Sequence, residues 1–484
     1  MRMSRFGGRV KYVYLTCQMV LLWLLLLFVM NTVSVRGVQF RYHDHLALET
    51  TLRNFTETYP ELTSLYSVGK SVQGEEMWVL VVGKHAARPA FLVPNVKYIA
   101  NMHGNEVVGR ELLLHLADHF LTQYGKNLTL TRFLETTRVH LMPTMNPDGF
   151  SRSRQGCNGV TGRGNAFGYD LNRNFPDSAN QSPPPQQKEV TNVIKWIQAT
   201  NFLLSANLHG GTLVVNYPFD SVPGDVNLQK YSQSPDDDVF RHLALTFSRS
   251  HPKMHKGFNC NDAFKQGIVN GAFWYPITGG MQDFMYRNAS GYEVLIEMSC
   301  CKYPRESQLK GFWDTNRDPL VNFLFQAHMG VKGLVYGQSQ YHSDLFDIVE
   351  GAIVQIKGRE GIEFRSSAMG EYYKLLLPGN YTLLVSHPDY YPAVEHFTVI
   401  SEKVTRRDVK LMRASGSSRG QGQGNGRSGN GDTSKGGPVV SRQEDSHNAA
   451  SKLIFCPEGQ QTRLMFQMAS VLILSTLINL LILV

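Results

Sequence analysis

His103 and Glu106 stand three residues apart in "KYIANMHGNEVVGRELLLHL", where an apolar run passes through Gly104-Asn105 into a helical pattern. An imidazole and a carboxylate at that spacing can share a metal ion, but the pair alone is a weak sign. His115 and Asp118 repeat the spacing inside the helical pattern, where a solvated pair is the plain reading. His209, closing the apolar run "FLLSANLHGG", adds a third group of the right type. Two histidines and a carboxylate, with a fourth position open to water, form the donor set of a catalytic zinc site. Hydrolysis there also needs a base, a donor for the oxyanion and a grip on the substrate. Glu297 lies in the largely apolar pattern "YEVLIEMSC", where an acid is costly to bury unless paired or in use, and is the candidate base. "GRGNAFGYDLNRNFPD" offers Arg163 and Arg173. Arg173, with Asn172 beside it, can hold a carboxylate through paired hydrogen bonds. A structural salt bridge is the ordinary alternative for each arginine.

Those residues need a frame. Between about Val38 and Met329, short strand patterns ("MWVLVVG", "VKYIANM", "RVHLMPTM", "FLLSANLH", "YEVLIEM") alternate with amphipathic helices. In "GRELLLHLADHFLTQYG", Leu112, Leu116 and Phe120 share a helix face and Gly125 is a stop signal. The alternation predicts an α/β domain over 38–330 with a buried central sheet. Ligands bind beyond the carboxyl ends of strands in such sheets, where His103 and His209 both fall. Over 331–412 apolar and polar residues alternate around Gly, Pro and Asn turns, predicting a β-sandwich of roughly eighty residues. It has no polar cluster with catalytic spacing and reads as a packing or spacer module. "GSSRGQGQGNGRSGNGDTSKGGP" opens a flexible tether over 413–448.

The ends point to the secretory pathway. Arg2, Arg5, Arg9 and Lys11 precede "MVLLWLLLLFVM" and small residues near Ser34 and Gly37, the order of a signal peptide over 1–37. A retained N-terminal anchor is the alternative. "LMFQMASVLILSTLINLLILV" can span a bilayer, but no basic residue follows it. With the small residues "SHNAAS" upstream, 449–484 reads as a glycosylphosphatidylinositol signal with Asn448 as attachment residue; an ordinary tail anchor is the alternative. Of six cysteines, Cys157, Cys260, Cys300 and Cys301 remain between those segments, enough for two disulfides. Adjacent Cys300 and Cys301 are expected to reach different partners, and without a CxxC pair a thiolate zinc site gains no support. Asn54, Asn127, Asn288 and Asn380 head usable glycosylation sequons, whereas Pro183 spoils the one at Asn180. The formal charge of +8 is inflated by the leader, and no basic stripe interleaved with aromatics supports nucleic-acid binding.

"HGNE", "YDLNRNFPD", "NLHGG", "NYPFD", "WYPITGGMQD" and "IEMSCCKYP" occur in that order, and the chain from about Tyr42 to Met412 resembles the zinc metallocarboxypeptidases of the N/E subfamily. The resemblance implies an α/β carboxypeptidase fold, a central mixed sheet flanked by helices, followed by a transthyretin-like β-sandwich. It implies one zinc ion per chain on His103, Glu106 and His209, with Glu297 as general base and acid and Arg163 stabilising the oxyanion. Asn172, Arg173 and Tyr275 would hold the substrate's terminal carboxylate, and Asp170 would orient a ligand histidine. Asp220 and Gln282 fall where the subfamily recognises a basic last side chain; without the resemblance, Asp220 beside Pro218 reads as a turn cap. The expected activity is removal of C-terminal Arg or Lys by an anchored, monomeric enzyme facing outward from the plasma membrane. A catalytically silent module of the same fold that binds basic C-termini is the main rival. An enzyme selecting apolar or acidic ends, and an adhesion protein using its sandwich, are the others. Physiological substrates, the Arg-against-Lys preference and the disulfide pairing stay open at this level.

Overall fold

The computed structural model describes residues 37–180, 182–339 and 345–414. The expected leader and anchor segments, Asn448 and almost all of the tether lie outside those residues. Eight strands form one mixed sheet: β1 (Thr63–Lys70), β2 (Glu76–Val82), β3 (Asn95–Ala100), β4 (Arg138–Met142), β5 (Phe202–His209), β6 (Leu213–Tyr217), β7 (Ile268–Asn270) and β8 (Tyr292–Met298). Their spatial order is β1-β2-β4-β3-β5-β8-β6-β7. The central β4, β3, β5 and β8 run parallel, with β2 and β6 joined antiparallel on either side. Every residue of β4, β5 and β8 is buried. Helices cover both faces, so both faces of these strands are buried, and polar side chains they carry inward bond one another, as Ser205 and Asn207 do with Glu293.

On one face pack α1 (His45–Thr58), α2 (Val108–Gln123), α3 (Leu128–Thr136), α5 (Asp237–Ser250) and α7 (Leu309–Phe325). On the other lie α4 (Lys188–Thr200) and α6 (Met281–Ala289). The stop signal after α2 acts as expected: Gly125 takes φ +77, which a side chain would resist, and the helix ends at Gln123. β6 and β7 are short, and the eight residues of β1 are mostly half-buried without alternation, so none of the three carries a periodic signal; pairing with neighbouring strands makes them part of the sheet.

From Val331 the chain builds two further sheets, of five and four strands, enclosing a core that includes Val335, Val354, Leu383 and Phe397. Val331–Gln338 alternates buried and half-buried residues, the period-two pattern of a strand with one face in a core. This sandwich is bolted to the first domain rather than spaced from it. Asp236, fully buried at the start of α5, accepts Lys374 Nζ at 2.8 Å and Arg359 Nη1 at 3.2 Å from the sandwich. The Tyr286 and Tyr292 hydroxyls donate to the same carboxylate at 2.8 and 3.1 Å. Arg413 still bridges to Tyr390, so ordered pairing runs a residue into the expected tether.

Candidate metal centre

β3 delivers its chain into a loop, 101–106, that carries two of the candidate ligands. Asn101 adopts φ +56, a conformation asparagine tolerates, and turns its side chain back over the loop. Its Nδ2 lies 3.0 Å from the carbonyls of His103 and Gly104 and 3.1 Å from that of Glu106, while Thr144 donates to its Oδ1 at 2.9 Å. A Cβ at Gly104 would meet the Gly149 carbonyl carbon at 2.2 Å and the Phe150 nitrogen at 2.3 Å. Only glycine allows that backbone approach, which is why one separates the ligands.

His103 Nδ1, His209 Nδ1 and Glu106 Oε2 converge, with His103–His209 at 3.1 Å and the two histidines 3.0 and 2.9 Å from the carboxylate. All three residues are buried and are the only group of this kind among the described residues. His103 Nε2 lies 2.9 Å from Asp170 Oδ1. That hydrogen bond puts the ring proton on Nε2 and leaves Nδ1 with its lone pair facing the centre. Glu297 is level with His209 in the parallel β8–β5 pairing, so both side chains project from one face of the sheet. Its Oε2 is buried and has no hydrogen-bond partner among the described residues. Arg163 Nη1 reaches Glu106 Oε1 at 3.1 Å and its Nη2 reaches Asp170 Oδ2 at 2.9 Å.

These groups open onto a cavity of about 200 Å³. Asn172, Arg173 and Tyr275 stand on its wall. Asn172 is fixed by the Met281 N–H donating to its Oδ1 at 3.0 Å, and Arg173 Nη1 donates to the Asn172 carbonyl at 2.8 Å. Tyr275 is 46% exposed, at the rim. Asp220 also lines the cavity but is only 3% exposed, so it is no surface turn cap. Gln282 stands behind the wall, its Nε2 donating to Asp220 Oδ1 at 2.6 Å and to Asn216 Oδ1 at 3.0 Å. Its place in the site is thus to hold Asp220.

Residues 48–319 match the zinc carboxypeptidase family. Carboxypeptidase M of Mus musculus is 45% identical over 359 residues, covering 73% of this chain and 80% of that protein. The chain belongs to the zinc carboxypeptidase family. The carboxypeptidase N catalytic chain of Mus musculus is 39% identical over 409 residues, 79% of this chain and 88% of that one. Carboxypeptidase D of Homo sapiens is 41% identical over 387 residues, 79% of this chain and 28% of that protein. This carboxypeptidase is therefore a metal-dependent hydrolase, and zinc is its metal.

The converging atoms fit that metal. Tetrahedral zinc with nitrogen and oxygen ligands near 2.0–2.1 Å separates its ligand atoms by about 3.3 Å, close to the spacings at the carboxypeptidase's centre. Burial opposes charge on Asp170, but His103 and Arg163 outweigh it and hold the carboxyl far below its usual range. Burial, reinforced by the Glu106 carboxylate, pushes Glu297 up to about 8; a divalent cation between the two would offset that repulsion. Cys301 is bonded to Cys157 and Cys300 to Cys260, so the adjacent cysteines do reach different partners and brace the segment after the base.

Several residues of the site carry no readable signal in the sequence. Asn101 looks like any loop asparagine. Lys302, inside the quoted "IEMSCCKYP", puts Nζ 3.5 Å from Glu106 Oε1 on the cavity wall. Asp262 and Thr212 line the same cavity from segments fifty residues apart. The four sequon asparagines, Asn54, Asn127, Asn288 and Asn380, are all exposed.

Proposed function

We propose that this carboxypeptidase removes C-terminal Arg or Lys from peptides and proteins, using one zinc ion per chain held by His103, Glu106 and His209. The observation that carries the specificity is Asp220, a buried carboxylate facing a cavity whose other wall holds the ligand cluster. A basic side chain would pair with it, whereas an apolar one would leave it desolvated and unpaired. Zinc, when bound, supplies Lewis acidity to the scissile carbonyl and makes water acidic enough to attack near neutral pH. Glu297 takes a proton from the attacking water and passes it to the leaving amine. Arg163 donates to the oxygen that gains charge, and Asp170 keeps both Arg163 and His103 in place. Asn172 and Arg173 hold the terminal carboxylate, with Tyr275 at the rim, so only a chain end fits. Gln282 aims Asp220.

The deciding experiment measures free arginine released from an N-blocked peptide ending in Arg, with and without a zinc chelator, beside Glu297→Gln. Chelator-sensitive release that the variant lacks is the expected result. No release from zinc-loaded protein on Arg or Lys ends would overturn it in favour of a silent binding module. We also place the enzyme, as a monomer, on the outer face of the plasma membrane. The leader pattern, the exposed sequons and the two disulfides support an oxidising compartment. Among the described residues no helix is long and apolar enough to cross a membrane; the anchor is assigned to the C-terminal signal with Asn448. A phospholipase specific for the lipid linkage should release the protein from cells, and retention after treatment would refute the anchor.

A further inference from the structure

The geometry points to a second acidic subsite, formed by Asp262 and Thr212 at the outer end of the catalytic cavity, that selects a basic side chain on the residue preceding the scissile bond. It rests on the reading that Asp220 takes the last side chain.

Strand register orders the cavity. β6 runs antiparallel to β8, with Asn216 level with Leu295 and Val214 level with Glu297. Asn216 and Asp220 share the Gln282 amide and mark the inner end. Thr212 lies two residues before Val214, about 7 Å along the strand direction on the far side of Glu297. A peptide whose last side chain meets Asp220 and whose scissile bond lies at Glu297 therefore brings its preceding residue toward Thr212. There the Thr212 hydroxyl, buried, donates to Asp262 Oδ2 at 2.6 Å, while Asp262 itself is exposed at the mouth. A hydroxyl donor orients the carboxylate without neutralising it.

The position of Asp262 is built rather than incidental. It sits just past the tip of a small hairpin, Phe258–Asn259 against Asp262–Ala263. Cys260 at that tip is bonded to Cys300, three residues beyond Glu297, so the disulfide ties the acid to the strand that carries the base. Lys302, on the wall of the same cavity, is engaged elsewhere. It turns its ammonium inward to Glu106, 3.5 Å away, with its stem alongside Gly211, where a Cβ would meet Lys302 Cε at 3.1 Å. Asp262 thus faces the incoming chain, and a lysine or arginine before the scissile bond gains a counter-charge that a glutamate there would meet as a like charge.

The test compares kcat/KM for N-acylated tripeptides ending Lys-Arg, Ala-Arg and Glu-Arg on the zinc-loaded enzyme. At low ionic strength Lys-Arg should exceed Ala-Arg by about threefold and Glu-Arg should fall below it by about threefold, the scale of a partly exposed ion pair. Both ratios should shrink in about 0.5 M salt. Asp262→Asn should bring them to about one, and Asp262→Lys should reverse the order. A merely structural aspartate would move neither the salt dependence nor the sign. Equal rates on the three peptides in the wild type, or ratios unchanged in Asp262→Asn, would overturn the subsite alone. Release of arginine from none of the three would overturn the underlying specificity and this subsite with it.

Discussion

Asp220→Asn removes one charge from the inner end of the cavity and almost no volume. The carboxylate is 3% exposed, takes the Gln282 amide at 2.6 Å, and has its own N–H held by both oxygens of Asp283 at 3.1 Å. Burial pushes its pKa from the usual 3.8 up to about 7, with Arg173 pulling the other way. A substrate guanidinium deprived of a buried partner loses about 3 kcal/mol, or about 150-fold in kcat/KM for peptides ending in Arg or Lys. Peptides ending in Leu should lose nothing comparable. Pairing needs the ionised acid, present above about pH 7 and withdrawn as pH falls through it. The kcat/KM profile for Arg peptides should therefore fall more steeply on its acid side in the wild type than in the variant, which keeps only the limb set by Glu297. The same group acts on stability with the opposite sense. Its folded pKa lies above the unfolded one, so its contribution is full below the ordinary carboxylate range and is lost as pH rises through about 7. Asp220→Asn should accordingly raise the unfolding temperature more at pH 8 than at pH 5. Steady-state kinetics on Arg, Lys and Leu ends, with thermal unfolding at both pH values, measure each effect. An unchanged Arg-to-Leu ratio would refute the specificity argument, and an equal thermal shift at both pH values would refute the burial argument.

Asp170→Ala frees the His103 ring and should weaken zinc binding by about tenfold to a hundredfold, read by competition with a chromogenic chelator; unaltered affinity would remove Asp170 from the support of the metal. Arg163→Ala should lower kcat by about a hundredfold while bound zinc, measured by elemental analysis, stays stoichiometric. Lys374→Met leaves Asp236 buried with one cation fewer and should destabilise the protein by about 3–5 kcal/mol, seen as a fall in unfolding temperature with kcat of the folded enzyme preserved. A sandwich that only fills space would lose far less.

The metal ligands are legible in sequence as a set rather than singly. His103 and Glu106, an imidazole and a carboxylate within four residues of a strand-to-helix turn, become readable once His209 supplies a third group of the same kind. Glu297 is one of two acids in its strand, and the fold separates them: Glu293 pairs with Lys97, whereas Glu297 Oε2 has no hydrogen-bond partner among the described residues. The helix over Val108–Gln123 and the parallel core strands follow from residue pattern. Asp220 is the opposite case: its local setting beside Pro218 argues for a turn, and only the packing of α6 with Gln282 against it shows a buried carboxylate. Gln282, grouped with Asp220 by resemblance, turns out to stand behind the wall. Asn101, Lys302 and the Thr212–Asp262 pair have no local contradiction to betray them.

Residue type and pattern specified the α/β alternation and the cysteines that must find separate partners, while the hydrolytic donor set emerged only when His209, a hundred residues downstream, and the ordered family motifs were added to the His103–Glu106 pair. The alternation and the separation of the cysteines depend on forces acting within one or two turns of chain: steric preference and hydrophobic periodicity. The rest was settled by contacts between residues far apart in the chain. Sheet register sets Glu297 level with His209, the fold brings Asp170 beside His103, and the sandwich supplies Lys374 and Arg359 to a carboxylate in another domain. Such pairings are chosen by the burial of the whole sheet and by the need of each buried charge for a partner, and neither condition can be evaluated until the chain has closed on itself.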